Sequence, residues 1–263
     1  MKQPTVHLNK ILKYEFLNIL RNRWIFMYSI FVALTLFSIQ KITGEYEKTF
    51  LTFSTLAVVF IPLISSLFTS LYWYYNDRFT LLLMTQPLKR NLIFFSRFIA
   101  ITTSLSICFG LGILLGAILS NNYSLDLLLL FGVGTLLNFI FVALSMMISA
   151  SFEDRMRGIG IVFAIWLYFV FAHDGIVLLT LISLREYPME ITGGIIGSAN
   201  PIGLARVVLL MYNNGSLLLG HTGALVREIL TSWIGYFWAI GVSFTWAVVP
   251  LLLGGRLFSK RDF

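Results

Sequence analysis

LLLLFGVGTLLNFIFVALSMMISA, residues 127–150, runs for 24 positions without a charged side chain. About 20 predominantly apolar residues in a helix cross the hydrocarbon core of a bilayer, since each adds roughly 1.5 Å. With Asp126 before it and Glu153, Asp154 and Arg155 after it, this run predicts a membrane-spanning helix. Five further runs flank it: Trp24–Ile42, Phe50–Tyr75, Phe98–Leu119, Ile159–Leu184 and Ile229–Leu253. The first is the weakest, because its uninterrupted apolar part ends at Ile39. The prediction is an all-α polytopic membrane protein with six transmembrane helices, forming one domain over residues 1–263. No internal repeat and no linker divides it.

Composition agrees. Of 263 residues, 58% are hydrophobic, 16% aromatic and only 12% charged, about half the charge of a soluble domain. Such a chain cannot cover its surface with water-compatible groups, which excludes a soluble enzyme, a nucleic-acid module and a disordered protein. The net charge of +7 sits in short segments beside the apolar runs. Segments 1–23, 76–97, 151–158 and 254–263 hold 14 of the 19 Lys and Arg. The positive-inside rule therefore places both termini in the cytoplasm, in keeping with an even number of spans. The lone cysteine, Cys108, lies within an apolar run, so no disulfide framework is available. The 23 residues ahead of the first run argue against a signal peptide.

Three segments do not span. In residues 8–20, Leu8, Ile11, Leu12, Phe16, Ile19 and Leu20 share one helical face, with Lys10, Lys13 and Asn18 away from it. That pattern predicts an amphipathic helix in the inner headgroup region. In the inner loop Asn76–Asn91, Leu81, Leu82, Leu83 and Met84 are apolar outside any span. Asp77 is placed to cap a short helix there, Pro87 to stop it, and Lys89 and Arg90 follow. That helix either packs beneath its own bundle or is covered by a cytoplasmic partner. The outer stretch 185–228 is too long for a turn and too apolar for a solvated loop. Asn200-Pro201 reads as an N-cap with Pro at the first helical position, Leu204, Val207, Val208 and Met211 follow at helical spacing, and Asn213-Asn214-Gly215 ends the element. A helical hairpin on or in the outer leaflet is expected, with a folded outer cap as the alternative.

The chemistry-bearing residues are few. No phosphate-cradling loop and no His-Glu-x-x-His pair occurs, and His7, His173 and His221 lie far apart. No catalytic constellation and no metal set is expected. His173-Asp174 stands well inside the fifth run, in its outer half. An ionisable group at that depth is costly unless it faces protein or water, so the pair is a pore candidate. The alternative is structural pairing of Asp174 with His173 or with a hydroxyl on a neighbouring helix. Gly112 and Gly116, four apart in the third run, permit close helix approach.

The layout resembles the type-2 ABC exporter permeases (ABC-2, also called type V), and the resemblance covers the whole chain. Leu81-Leu-Leu-Met-Thr-Gln-Pro-Leu-Lys-Arg90 is similar to that family's inner-loop pattern. Asn200-Pro-Ile-Gly-Leu-Ala-Arg206 is similar to its outer Asn-Pro…Arg element, and Phe258-Ser-Lys-Arg-Asp-Phe263 to its ending. Within the family, the chain looks most like the subfamily serving copper-site maturation of nitrous oxide reductase. The resemblance implies a pore formed by two permease copies in the bacterial cytoplasmic (inner) membrane. It implies two copies of a separate ATPase that carry the ATP and Mg, leaving this chain without a cofactor. Asp77, Arg78, Leu81, Leu82, Leu83, Met84, Gln86 and Pro87 would couple to the ATPase, with Glu153, Asp154 and Arg155 as the second contact. Asn200, Pro201, Arg206, Asn213 and Asn214 would dock a periplasmic accessory protein on the 185–228 segment. An exporter of another substrate (ion, drug or lipid), a self-sufficient transporter and a non-transporting membrane anchor remain as alternatives.

Overall fold

The computed structural model describes residues 4–85, 89–183, 197, 199–212 and 233–260. The expectations resting on Gln86, Pro87, Asn213, Asn214, the side chain of Arg78 and the rest of the outer stretch at 213–228 lie outside these residues. Among the described residues every regular element is helical. In chain order they are α1 (Pro4–Leu20), α2 (Arg23–Thr43), α3 (Tyr46–Tyr75), α4 (Asp77–Met84), α5 (Arg90–Ser120), α6 (Asp126–Ser151) and α7 (Arg155–Leu167). A π-helical turn (Tyr168–Ala172) leads into α8 (His173–Ser183), followed by α9 (Pro201–Tyr212) and α10 (Trp233–Lys260). Six stretches are long and apolar enough to cross a membrane: α2, α3, α5, α6, the run from α7 into α8, and α10.

Several boundaries move outward. α3 begins at Tyr46 rather than Phe50, α5 at Arg90 rather than Phe98, and α10 continues to Lys260 rather than stopping at Leu253. Hydropathy marks where lipid surrounds a helix, whereas backbone hydrogen bonding continues until a cap or a turn stops it. At α2 both ends are capped: the Asn22 side chain accepts from the Trp24 N–H, and Gly44 adopts φ 68°. Asp77, by contrast, does not cap α4. It stands in the first turn, Asn76 occupies the cap position, and no side chain bonds there.

α6 is the centre of the bundle, with Leu137, Ile140, Phe141, Val142, Ala143 and Met146 buried and with α3, α5 and α10 packed around it. A polar seam runs along its contact with α3. The Ser65 hydroxyl donates to Asn138 Oδ1, Asn138 Nδ2 donates to Ser106 Oγ at 3.5 Å, and Ser145 Oγ donates to the Ser66 carbonyl at 2.7 Å. These hydroxyls join helices, where no water competes for them. The glycine pair is used within the chain. A Cβ on Gly112 would stand 2.7 Å from Val32 and 2.8 Å from the Ser29 carbonyl oxygen, so these small residues let α2 lie directly against α5.

α1 lies along α5. Its predicted apolar face is the packed face: Ile19 is fully buried, and Ile11, Leu12, Phe16 and Leu20 are partly covered, leaving Tyr14 and Leu17 outward. The outer helix α9 is likewise packed on the bundle, against α3, α6, the π turn and α10. Ile202, Leu204, Ala205, Val207 and Leu209 are buried. This half of the expected hairpin is therefore a helix seated on the bundle, and its other half lies outside the described residues.

Candidate functional site

At the end of the bundle that carries α1, two exposed segments adjoin the end of α3. α4 follows α3 after a one-residue turn and shows Leu81 and Leu82, 41% and 58% exposed. The turn between α6 and α7 presents Glu153, Asp154 and Arg155. Two contacts hold that turn to the end of α3: Tyr74 Oη donates to the Phe152 carbonyl at 3.0 Å, and the Arg155 guanidinium stacks on the Tyr75 ring at 4.1 Å. Asp154 caps α7 by accepting from the Met156 N–H at 2.9 Å and pairs with Arg157 at 3.3 Å. Leu83 does not belong to the exposed set. Its side chain is 7% exposed and packs into the core, and Met84 is partly covered there too. An eight-residue helix has two faces, and α4 turns one of them inward.

What holds α4 in place is a buried charge network. Glu15 of α1 and Arg97 of α5 have side chains each 1% exposed and meet at 3.2 Å. Arg97 Nε reaches the same Glu15 oxygen at 3.3 Å. Arg97 Nη2 donates to Thr80 Oγ1 of α4 at 2.9 Å, and Tyr72 Oη of α3 donates to the other Glu15 oxygen at 2.5 Å. The guanidinium also lies 5.4 Å over the Trp73 ring, and Trp73 packs edge-on against Phe94 and Phe258. Four helices, α1, α3, α4 and α5, thus meet on one ion pair. A buried pair survives only when its remaining donors and acceptors are matched, and here the hydroxyls of Thr80 and Tyr72 do that. Arg97, one of the basic residues of segment 76–97, is thus buried in α5, and Glu15 is its partner. The usable signal was Glu15 at i+4 from Ile11 and i−4 from Ile19, a carboxylate on an apolar stripe.

At the other end, the π turn organises a second cluster. The His173 N–H bonds to the Tyr168 carbonyl, five residues back rather than four. The Phe169 carbonyl accepts instead from Asn200 Nδ2 at 2.7 Å, while Asn200 Oδ1 accepts from the Ile202 N–H at 2.9 Å. Asn200 is 1% exposed and Pro201 is buried, so neither can meet a partner protein; they fix where α9 starts. Asp174 is half-exposed, and its carboxylate takes Arg206 Nη1 at 3.0 Å. Arg206, expected to project outward to a partner, is tied back to the bundle, and it rather than His173 or a hydroxyl is the counter-ion. His173 Nδ1 stands 3.8 Å from Asp174, beyond a hydrogen bond. Among the described residues, His173 Nδ1 and Arg206 Nε are both buried without a hydrogen-bond partner.

Comparison with known proteins covers both ends. The chain is 26% identical over 274 aligned residues to a protein of Stutzerimonas stutzeri named "Probable ABC transporter permease protein NosY", an alignment taking in 92% of this chain and 94% of that one. The model of the family described as "ABC-2 family transporter protein" matches residues 76–263, from the residue before α4 onward. With most of its length matched and six helices able to cross a membrane, this multi-pass chain belongs to the ABC-2 family of transporter proteins.

Proposed function

We propose that this permease works as a pair of copies in the bacterial cytoplasmic membrane, both termini inside, and serves the maturation of the copper sites of nitrous oxide reductase. The likeness to the NosY-named protein along nearly the whole chain supports that reading. As an ABC-2 permease the chain is a transport subunit that works with an ATPase subunit. That partner holds ATP and Mg and supplies the energy.

The observation that carries the coupling is the exposure of Leu81 and Leu82, and of Glu153–Arg155, on the two segments that adjoin the end of α3. An exposed apolar pair and charged residues at one end of a membrane bundle suit a soluble protein seated there. Closure of the ATPase pair would press on α4, and the Thr80–Arg97–Glu15 link would carry the displacement to α1 and α5 as one body. At the outer end, α9 and the Asp174–Arg206 pair are the proposed gate, with a periplasmic accessory protein docked on the 185–228 segment.

The test is a deletion strain complemented with this chain. Copper content and activity of nitrous oxide reductase are measured together with ATPase co-purification. Restored maturation supports the reading. An ATPase that co-purifies while the reductase matures without the permease assigns the transporter to another substrate.

A further inference from the structure

Between α1, α2 and α3, at the end of the bundle that carries α1, lies a cavity of about 650 Å³. That is well inside the 300–1,000 Å³ range of ligand sites. Its wall is graded. At the membrane edge it is polar, with Asn18 from the last turn of α1 and Arg21 and Asn22 from the α1–α2 turn facing Asn76 from the α3–α4 turn. Deeper in, Leu63, Leu67 and Leu71, each four residues apart on α3, face Ile25 and Tyr28 of α2. From Asn76 to Leu63 the wall runs about 20 Å at 1.5 Å per residue, more than the roughly 15 Å half-thickness of a hydrocarbon core. Trp24 and Tyr75, among the most exposed aromatics, mark the mouth, as ring side chains do at headgroup level.

One charged group on this wall has no partner among the described residues: Arg21 is exposed and forms no ion pair there. A cation with three amides at the headgroup level, above an apolar slot that runs about 12 Å from Leu71 to Leu63, has the polarity profile of an anionic lipid.

We propose that this crevice binds an anionic phospholipid. The phosphate sits on Arg21 with Asn22 and Asn76 beside it, and an acyl chain runs down the Leu63–Leu67–Leu71 stripe. Tyr72 is part of the same wall and donates to Glu15, so the bound lipid braces the network that holds α4. The inference rests on the chain's being a membrane protein and not on what it transports.

The full chain is purified in detergent, freed of lipid, and melted with added phosphatidylglycerol or with phosphatidylcholine of the same acyl chains. Phosphatidylglycerol at large excess raises the midpoint by about 3 °C or more, and phosphatidylcholine raises it less. Arg21→Gln lowers the phosphatidylglycerol shift to the phosphatidylcholine level, and Leu67→Trp, which fills the slot, removes both shifts. Native mass spectrometry of the wild type and Arg21→Gln, a change at an exposed side chain, gives the same answer without Leu67→Trp: retained phosphatidylglycerol exceeds phosphatidylcholine only in the wild type. Equal retention of the two lipids by the wild type overturns the proposal. So does a Leu67→Trp chain that keeps its lipid shifts, or one that keeps them while losing a dimer, which would assign the crevice to a second copy.

Discussion

Asp174 and Arg206 stand 32 positions apart in the chain, and their side chains meet at 3.0 Å, joining the outer part of the fifth span to α9. The pair is only part-buried, which bounds its contribution to about 1 kcal/mol. Its direction matters more than its size, since it fixes which way α9 faces. Asp174→Asn and Arg206→Gln are each expected to lower transport-dependent maturation while lowering the melting midpoint by no more than a few degrees. The exchanged pair, Asp174→Arg with Arg206→Asp, is expected to recover part of the loss. Recovery in the exchange separates a gate tie from a charge that the substrate itself must meet.

At the opposite end, Leu81→Asp with Leu82→Asp should release the ATPase in a pull-down without shifting the melt, because both side chains face outward. Leu83→Asp should do something different. A carboxylate forced into that 7% exposed position costs several kcal/mol, so the chain itself is expected to melt early. A normal melt for Leu83→Asp would contradict the inward face of α4.

The Glu15–Arg97 pair gives the largest expected effect. Removing one partner strands a buried charge, so Glu15→Ala should cost roughly 3–5 kcal/mol. Replacing both, as Glu15→Leu with Arg97→Met, is expected to recover most of the midpoint. It still removes the Arg97–Thr80 bond to α4, so the ATPase should bind yet respond less to the permease. Melting and ATPase rate, measured on the same preparation, read the two effects separately.

Asn200→Ala should cost about 2 kcal/mol, losing the α9 cap and the donor to the Phe169 carbonyl together. Asn200→Asp keeps the cap acceptor but sets a carboxylate oxygen against that carbonyl, and is expected to be worse than alanine. Thermal melts of the two variants order them.

For the outer segment, cysteines at Asn213 and Asn214 should be shielded from an aqueous thiol reagent in the assembled complex and labelled in the isolated permease. Cys108 is 3% exposed, so it need not be removed first. Equal labelling in both states would leave that turn without a docked partner.

The bundle was legible because its dominant signal is one-dimensional: Leu127–Ala150 reads as a span without knowing what packs on it. α4, the start of α9 and the phase of α1 were legible for the same reason, being set by Asn, Pro and apolar spacing within a dozen residues. Where Arg97 and Arg206 end up was not legible, because charge alone does not say where a side chain goes. Each is placed by a carboxylate far off in sequence, Glu15 at 82 positions and Asp174 at 32. Leu83 was misread because a short apolar run does not say which of its members faces out.

The wide turn at Tyr168–Ala172 also bears on how this chain can be aligned and altered. It accommodates one more residue than an α-turn would, so everything after it is out of step by one when spans are matched by helical position. Deleting a single residue from 168–172 would let the turn close to an α-turn, with α8 keeping its facing while the Phe169 carbonyl that Asn200 Nδ2 now meets is repositioned. The Asn200 contact is therefore what a change of length puts at risk in this part of the fifth span, and substitutions that keep the count are the gentler way to probe it.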